Sequence, residues 1–181
     1  MSYLDNPSSV LNLVTDDEAH RDVYIAEDVY ELEIKHLFRN TWIYVGHASQ
    51  IPNKGDYYTT TIADQPVLMV RHTDNEIHVL YNRCAHRGTK LVTDFHGNTG
   101  KTFRCPYHAW TYRTDGTLLG VPVRDGYEDV SFENSCASKG MTAVSNVCVY
   151  REFVFAKLQN GGIEFEEFFG DSLSSIDNMI D

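Results

Sequence analysis

Disulfide chemistry is the first thing this sequence lacks: four cysteines in 181 residues are too few for a stapled scaffold. A chain of this length hides roughly 70% of its unfolded surface and does not need one. Basic residues are also scarce. Fifteen Lys and Arg face 26 Asp and Glu, a formal charge of −11. Such a surface repels phosphate backbones, which argues against nucleic-acid binding and suits a cationic protein partner. No apolar run approaches the ~20 residues that cross a bilayer, and no cationic flank leads into an apolar stretch at the N-terminus. The chain therefore reads as soluble, cytoplasmic and free of membrane contact. With 42% hydrophobic and 23% charged residues it can build a core, which excludes disordered, collagenous and coiled-coil classes.

The remaining pattern divides the chain into three parts. Residues 1–40 read as a polar lead-in followed by a helix: Asp28 and Glu31 have the form of a capping box, and Tyr30, Ile34, Leu37 and Phe38 recur at helical spacing. Residues 41–158 hold short runs rich in Val, Ile, Thr and Tyr. They predict strands over 42–45, 57–63, 66–72, 77–81, 109–113, 141–144 and 147–156, with a break near Arg151. Many short strands without helical repeats predict a mainly β fold, an antiparallel sandwich or barrel. In residues 159–181 the helical period returns. Phe165, Phe168, Phe169, Leu173, Ile176 and Ile180 make an apolar stripe that must either fold back on the β-domain or meet a partner beyond Asp181.

The chemistry lies in Cys84-Ala85-His86 and Cys105-Pro106-Tyr107-His108, a C-x-H and a C-x-x-H separated by 18 residues. Two thiolates and two imidazoles on two loops suit either tetrahedral zinc or an iron–sulfur cluster with mixed ligation. The surroundings favour the cluster. Arg87-Gly88-Thr89-Lys90 supplies backbone N–H groups of the kind bridging sulfides need, Pro106 stiffens the second loop, and Gly120-Val121-Pro122 can form a third. Trp110 and Tyr112 are expected beneath the loops as packing residues. Cys136 and Cys148 read as small core residues, and His20, His36, His47, His72, His78 and His96 as surface or loop residues.

The segments 82–88 (Asn-Arg-Cys-Ala-His-Arg-Gly) and 104–110 (Arg-Cys-Pro-Tyr-His-Ala-Trp) resemble the Rieske cluster-binding box of ring-hydroxylating oxygenases, specifically their large (α) subunit. The likeness extends to Phe38-Arg39-Asn40-Thr41-Trp42, Val45-Gly46-His47, Gln65-Pro66-Val67, Asp115-Gly116 and the exit segment through Phe168-Phe169-Gly170. It implies a Rieske-type antiparallel β-sandwich with a cluster-binding subdomain, a short N-terminal helix and a C-terminal helical stub. It further implies a [2Fe-2S] cluster held by Cys84, His86, Cys105 and His108, a reductase or ferredoxin as electron donor, and oxygenase α and β subunits as partners. An aromatic acid or hydrocarbon is the implied substrate class. Ala109 stands where the family has glycine, and the spacer is at the long end, which predicts an extended turn around residues 96–100.

No histidine follows His108, so these residues cannot supply the two histidines and carboxylate of a mononuclear iron site. The expectation is an electron-transferring part whose mononuclear iron lies in a missing catalytic domain, with 159–181 leading toward it. A free-standing Rieske ferredoxin is the alternative, and a zinc-stabilised module the third reading. A carrier would bury its apolar stripe, whereas a severed oxygenase domain would leave it frayed.

Overall fold

The computed structural model describes residues 2–122 and 139–180. Cys136, and whatever follows the third loop at Pro122, lie outside them. Among the described residues, three antiparallel sheets and four short α-helices stack in layers. The middle layer is a four-stranded sheet in the order β4-β3-β2-β5, from β2 (Asp56–Ile62), β3 (Gln65–Arg71), β4 (Ile77–Tyr81) and β5 (His96–Asn98). On one side lies β1-β10-β9, made of β1 (Ile43–His47), β9 (Asn146–Tyr150) and β10 (Phe153–Lys157). On the other lies a small meander, β6 (Thr102–Arg104), β7 (Thr111–Arg113) and β8 (Leu118–Gly120).

This layering explains the unbroken apolar run Val67-Leu68-Met69-Val70. Side chains alternate across a strand, so Val67 and Met69 enter the core shared with β1 and β10, while Leu68 and Val70 enter the core beneath the small meander. A strand covered on both faces has no position that favours a polar residue. Each such side chain contributes about 1.5–3 kcal/mol of burial.

Strand β10 repeats the device. Val154 and Ala156 point to the middle sheet, and Phe155 points outward to Trp42 and Phe165. Helices α3 (Phe165–Phe169) and α4 (Ser172–Met179) cover that outer face through Phe169, Leu173 and Ile176, so the C-terminal stripe folds back on its own sheet. The ring of Trp42 meets Phe165 edge-on at 5.4 Å, and its indole N–H donates to the Ile163 carbonyl at 3.1 Å. Buried Lys157 donates to the carbonyls of Gly161 and Ile163, which pins the approach to α3.

Several expectations change. The N-terminal helix is α1 (Asp22–Ile25) and α2 (Glu27–Glu33), running into a π-helical turn, Ile34–Phe38. Its N-cap is Ala26 without a side-chain bond, so the Asp28–Glu31 capping box does not form. Asp28 instead accepts from the Tyr3 N–H and the Ser2 hydroxyl and ties down the lead-in. The 141–144 strand reduces to one bridge between Ala143 and Leu80. The extended turn around 96–100 is instead strand β5, paired with β2 through Tyr57 and Gly97. The break at Arg151 is a tight turn in which Arg151 and Glu152 both take left-handed backbone.

Candidate metal centre

Two loops built alike project from the meander side of the core. In the first, the Cys84 N–H donates to the Thr89 carbonyl at 2.8 Å and the Gly88 N–H returns to the Cys84 carbonyl at 2.8 Å. In the second, the Cys105 N–H donates to the Trp110 carbonyl at 2.8 Å and the Ala109 N–H returns to the Cys105 carbonyl at 3.0 Å. Gly88 and Ala109 therefore occupy equivalent places, and both have positive φ, +70° and +55°. Glycine adopts that conformation at no steric cost, whereas alanine is strained there. The departure at Ala109 from the family's glycine thus has a structural consequence: strain in the second loop.

The loop bases are anchored differently. Asn82 is buried, accepts from the N–H groups of Leu91 and Val92, and donates to the Val92 carbonyl, clamping both ends of the first loop. The second loop is the connection of the β6–β7 hairpin, where Phe103 pairs with Tyr112 and both are buried.

All four candidate donors come together in two pairs. Cys84 and Cys105 are each only 3% exposed and lie side by side at the bottom of the loops. Burial raises the Cys84 thiol above its ordinary range; hydrogen bonds from the Tyr112 hydroxyl and the His86 N–H oppose this, and neighbouring Cys105 reinforces it. Two adjacent buried sulfurs of that kind ionise together only against a cation. His86 and His108 stand above them, ring centroids 4.8 Å apart. The His86 ring lies flat against Trp110 at 4.9 Å, and Tyr107 leans on His108 at 3.7 Å, so both imidazoles are held in a column of rings with its outer end exposed. Burial, then His108 and Arg87, depress the His86 imidazole and favour the neutral ring that metal binding requires. Among the described residues no three His, Cys, Asp or Glu side chains converge on a point that would hold one ion. The donors are grouped two and two.

Tyr112, read from the sequence as packing, also makes a polar contact. Its Oη lies 3.0 Å from Cys84 Sγ and accepts the Ala85 N–H at 3.2 Å. A thiolate sulfur has no proton to give, so with Cys84 ionised the hydroxyl is the donor in this pair. The alternation of Trp110 and Tyr112 signals that both face inward; no local pattern signals the sulfur contact or the Asn82 clamp. Of the remaining histidines, His47, His72 and His78 are half-buried rather than superficial: His47 ends β1 and packs edge-on to Phe153 at 5.0 Å, the His72 and His78 rings pack edge to face at 5.4 Å, and His72 Nδ1 pairs with the Thr114 hydroxyl at 2.6 Å. Cys148 is half-buried and free.

Comparison with known proteins gives a consistent set of relatives. The family model described as Rieske [2Fe-2S] domain matches residues 41–131. Toluate 1,2-dioxygenase subunit alpha from Pseudomonas putida is 36% identical over 189 residues, covering all of this chain and 40% of the relative. Anthranilate 1,2-dioxygenase large subunit from Acinetobacter baylyi is 37% identical over 163 residues, covering 89% of this chain and 33% of the relative. Among solved structures, naphthalene 1,2-dioxygenase from Rhodococcus sp. superposes with a TM-score of 0.83 at 27% identity, over 98% of this chain and 39% of that one. The chain spans about 33–40% of the length of these proteins.

Proposed function

The chain belongs to the Rieske [2Fe-2S] domain family, and from that premise we propose that it is the electron-transferring part of the α subunit of an aromatic-ring-hydroxylating oxygenase. The observation that carries the reading is the two-and-two donor arrangement: paired buried sulfurs below, paired imidazoles above. It fits a binuclear cluster with cysteines on one iron and histidines on the other better than a single tetrahedral zinc. When bound, the cluster supplies one-electron storage at roughly −150 to +300 mV, above all-cysteine plant-type clusters.

In this reading Cys84 and Cys105 bind as thiolates in the dry base of the site. The Tyr112 hydroxyl and the His86 N–H donate to the Cys84 sulfur and stabilise its negative charge. His86 and His108 bind as neutral rings, and Trp110 and Tyr107 fix their orientation. Because His108 stands at the exposed end of the ring column and His86 is half-buried behind it, a bound cluster would be approached by electron partners from that side. The oxygen-activating iron is assigned to the part of the relatives that this chain does not span, since no histidine follows His108. Residues 159–181 lead toward it, an electron donor and further oxygenase subunits are the partners, and the cytoplasm is the location. No helix among the described residues is long and apolar enough to cross a membrane.

The C-terminal stripe is not frayed as expected of a severed oxygenase domain but folds back on Trp42 and Phe155, an arrangement that a self-contained ferredoxin would also show. The relatives named above favour the oxygenase reading. Anaerobic reconstitution tests it: about two irons and two acid-labile sulfides per chain, with red-brown absorption, are expected. One colourless zinc per chain, or an unchanged spectrum after His108→Ala, would refute it.

A further inference from the structure

Residues 82–114 carry six lysines and arginines against a single carboxylate, Asp94, a net +5 within a chain of net −11. Among the described residues none of these six makes an ion pair, whereas Arg39 and Arg151 each do. Three of the six share one place. In β6 and β7 the side chains alternate between the core and the surface, so Arg104 and Arg113 stand on the outward face, opposite buried Phe103 and Tyr112. Thr102 pairs with Arg113 and Thr111 with Arg104, which makes the face cationic and hydroxyl-bearing. Lys101 adds its charge at a hollow it lines with Arg113, and Arg104 lines a second hollow with Ala109 beside the His108 loop tip. No carboxylate of the described residues lines either hollow.

We propose that this basic face is the docking surface for an acidic protein electron donor. The inference rests on the cluster reading above and adds to it where the donor binds and by what chemistry. A face of guanidinium, ammonium and threonine groups suits a partner that arrives, delivers and leaves, because transient interfaces are small and polar whereas permanent ones resemble apolar cores. Charge beyond a Debye length, about 10 Å at 0.1 M salt, is screened. An anionic protein at contact distance therefore senses the three positive charges of Lys101, Arg104 and Arg113 rather than the distant carboxylates. Docking there sets the donor against the loop that carries His108, the exposed end of the ring column. The step is simple in balance: the reduced donor loses one electron, the cluster gains it, and no bond or proton changes place.

Stopped-flow reduction of the holoprotein by a reduced, acidic, plant-type [2Fe-2S] ferredoxin tests this, since its potential of about −400 mV makes the transfer downhill. The second-order rate is expected to fall about tenfold or more between about 20 and about 500 mM NaCl. Arg104→Glu/Arg113→Glu should lower the low-salt rate by about 10–100-fold with the visible spectrum unchanged. Arg104 adjoins Cys105, so Lys101→Glu/Arg113→Glu, set back from both loops, provides a second variant with the same expected direction. A rate that rises with salt, as the net charge of −11 alone would give, or one indifferent to both reversals, overturns the proposal. Failure of the unsubstituted protein to take up a red-brown cluster would overturn the functional reading itself, before any rate is measured.

Discussion

Replacing Tyr112 by phenylalanine removes one oxygen from a fully buried position and leaves the ring packed against Phe103. The change deletes the donor to Cys84 Sγ at 3.0 Å. A hydrogen bond to a charged acceptor is worth about 1.5–3 kcal/mol, and it is worth more when the sulfur carries more negative charge. A single added electron spreads over the whole cluster, so only a part of that energy, about 1 kcal/mol, separates the reduced from the oxidised state. For a one-electron couple a factor of ten, 1.4 kcal/mol, corresponds to about 59 mV, so the potential should drop by about 40 mV. The sign follows from the reduced state losing more than the oxidised one. A redox titration followed by EPR measures it, with Tyr57→Phe as the control: Tyr57 shares the same core but makes no hydrogen bond to either cysteine. A potential that stays put or rises in Tyr112→Phe, with the spectrum intact, would refute the argument that the hydroxyl points at the sulfur.

Ala109→Gly should stabilise the protein by about 1 kcal/mol, a rise in Tm of about 2–4 °C, because it relieves left-handed backbone at φ +55°; calorimetry showing a loss would mean the loop is not strained there. Gly55→Ala should cost about 2–4 kcal/mol in urea unfolding, since φ is +84° and an added Cβ would strike the Gly100 carbonyl; a neutral result would contradict the close approach of the β1–β2 connection to the β5–β6 turn. The Tyr3 N–H lowers the Asp28 carboxyl and Arg39 lowers that of Asp64. Depressed folded values mean that both groups contribute stability above the ordinary carboxylate range near pH 3.9 and lose it as pH falls through their lowered values. Thermal melts should therefore decline on the acid side below about pH 4, and Asp28→Asn with Asp64→Asn should flatten that decline; a steeper decline would reverse the sign.

Local chemistry wrote much of the fold into the chain. Strands β2, β3 and β4 were legible because their Val, Ile, Thr and Tyr runs are bounded by Gly, Asn and Asp turns, and those propensities act over a few residues. Strands β5, β6 and β8 were not: each has three residues, and His96-Gly97-Asn98 has no apolar signal of its own. It is a strand because Tyr57 and Tyr58 of β2 offer it an edge to pair with. Asp28 shows the converse. A capping sequence lost to a competitor, the Tyr3 amide 25 residues away, which sequence spacing cannot reveal.

By itself the sequence determined the donor types and their grouping on two short loops, because a cysteine and a histidine two or three residues apart must share a loop wherever that loop goes. It also determined the net charge and the absence of a long apolar helix, which depend on composition alone. Only the tertiary structure decided that the sulfurs lie buried, that His86 is half-buried and His108 exposed, that Tyr112 reaches Cys84 across 28 residues, that Ala109 mirrors Gly88, and that an acidic chain turns a basic sheet face outward beside its ligand loops. Those facts depend on which surfaces the layers bury against one another, and burial is a property of the assembled core rather than of any stretch of chain.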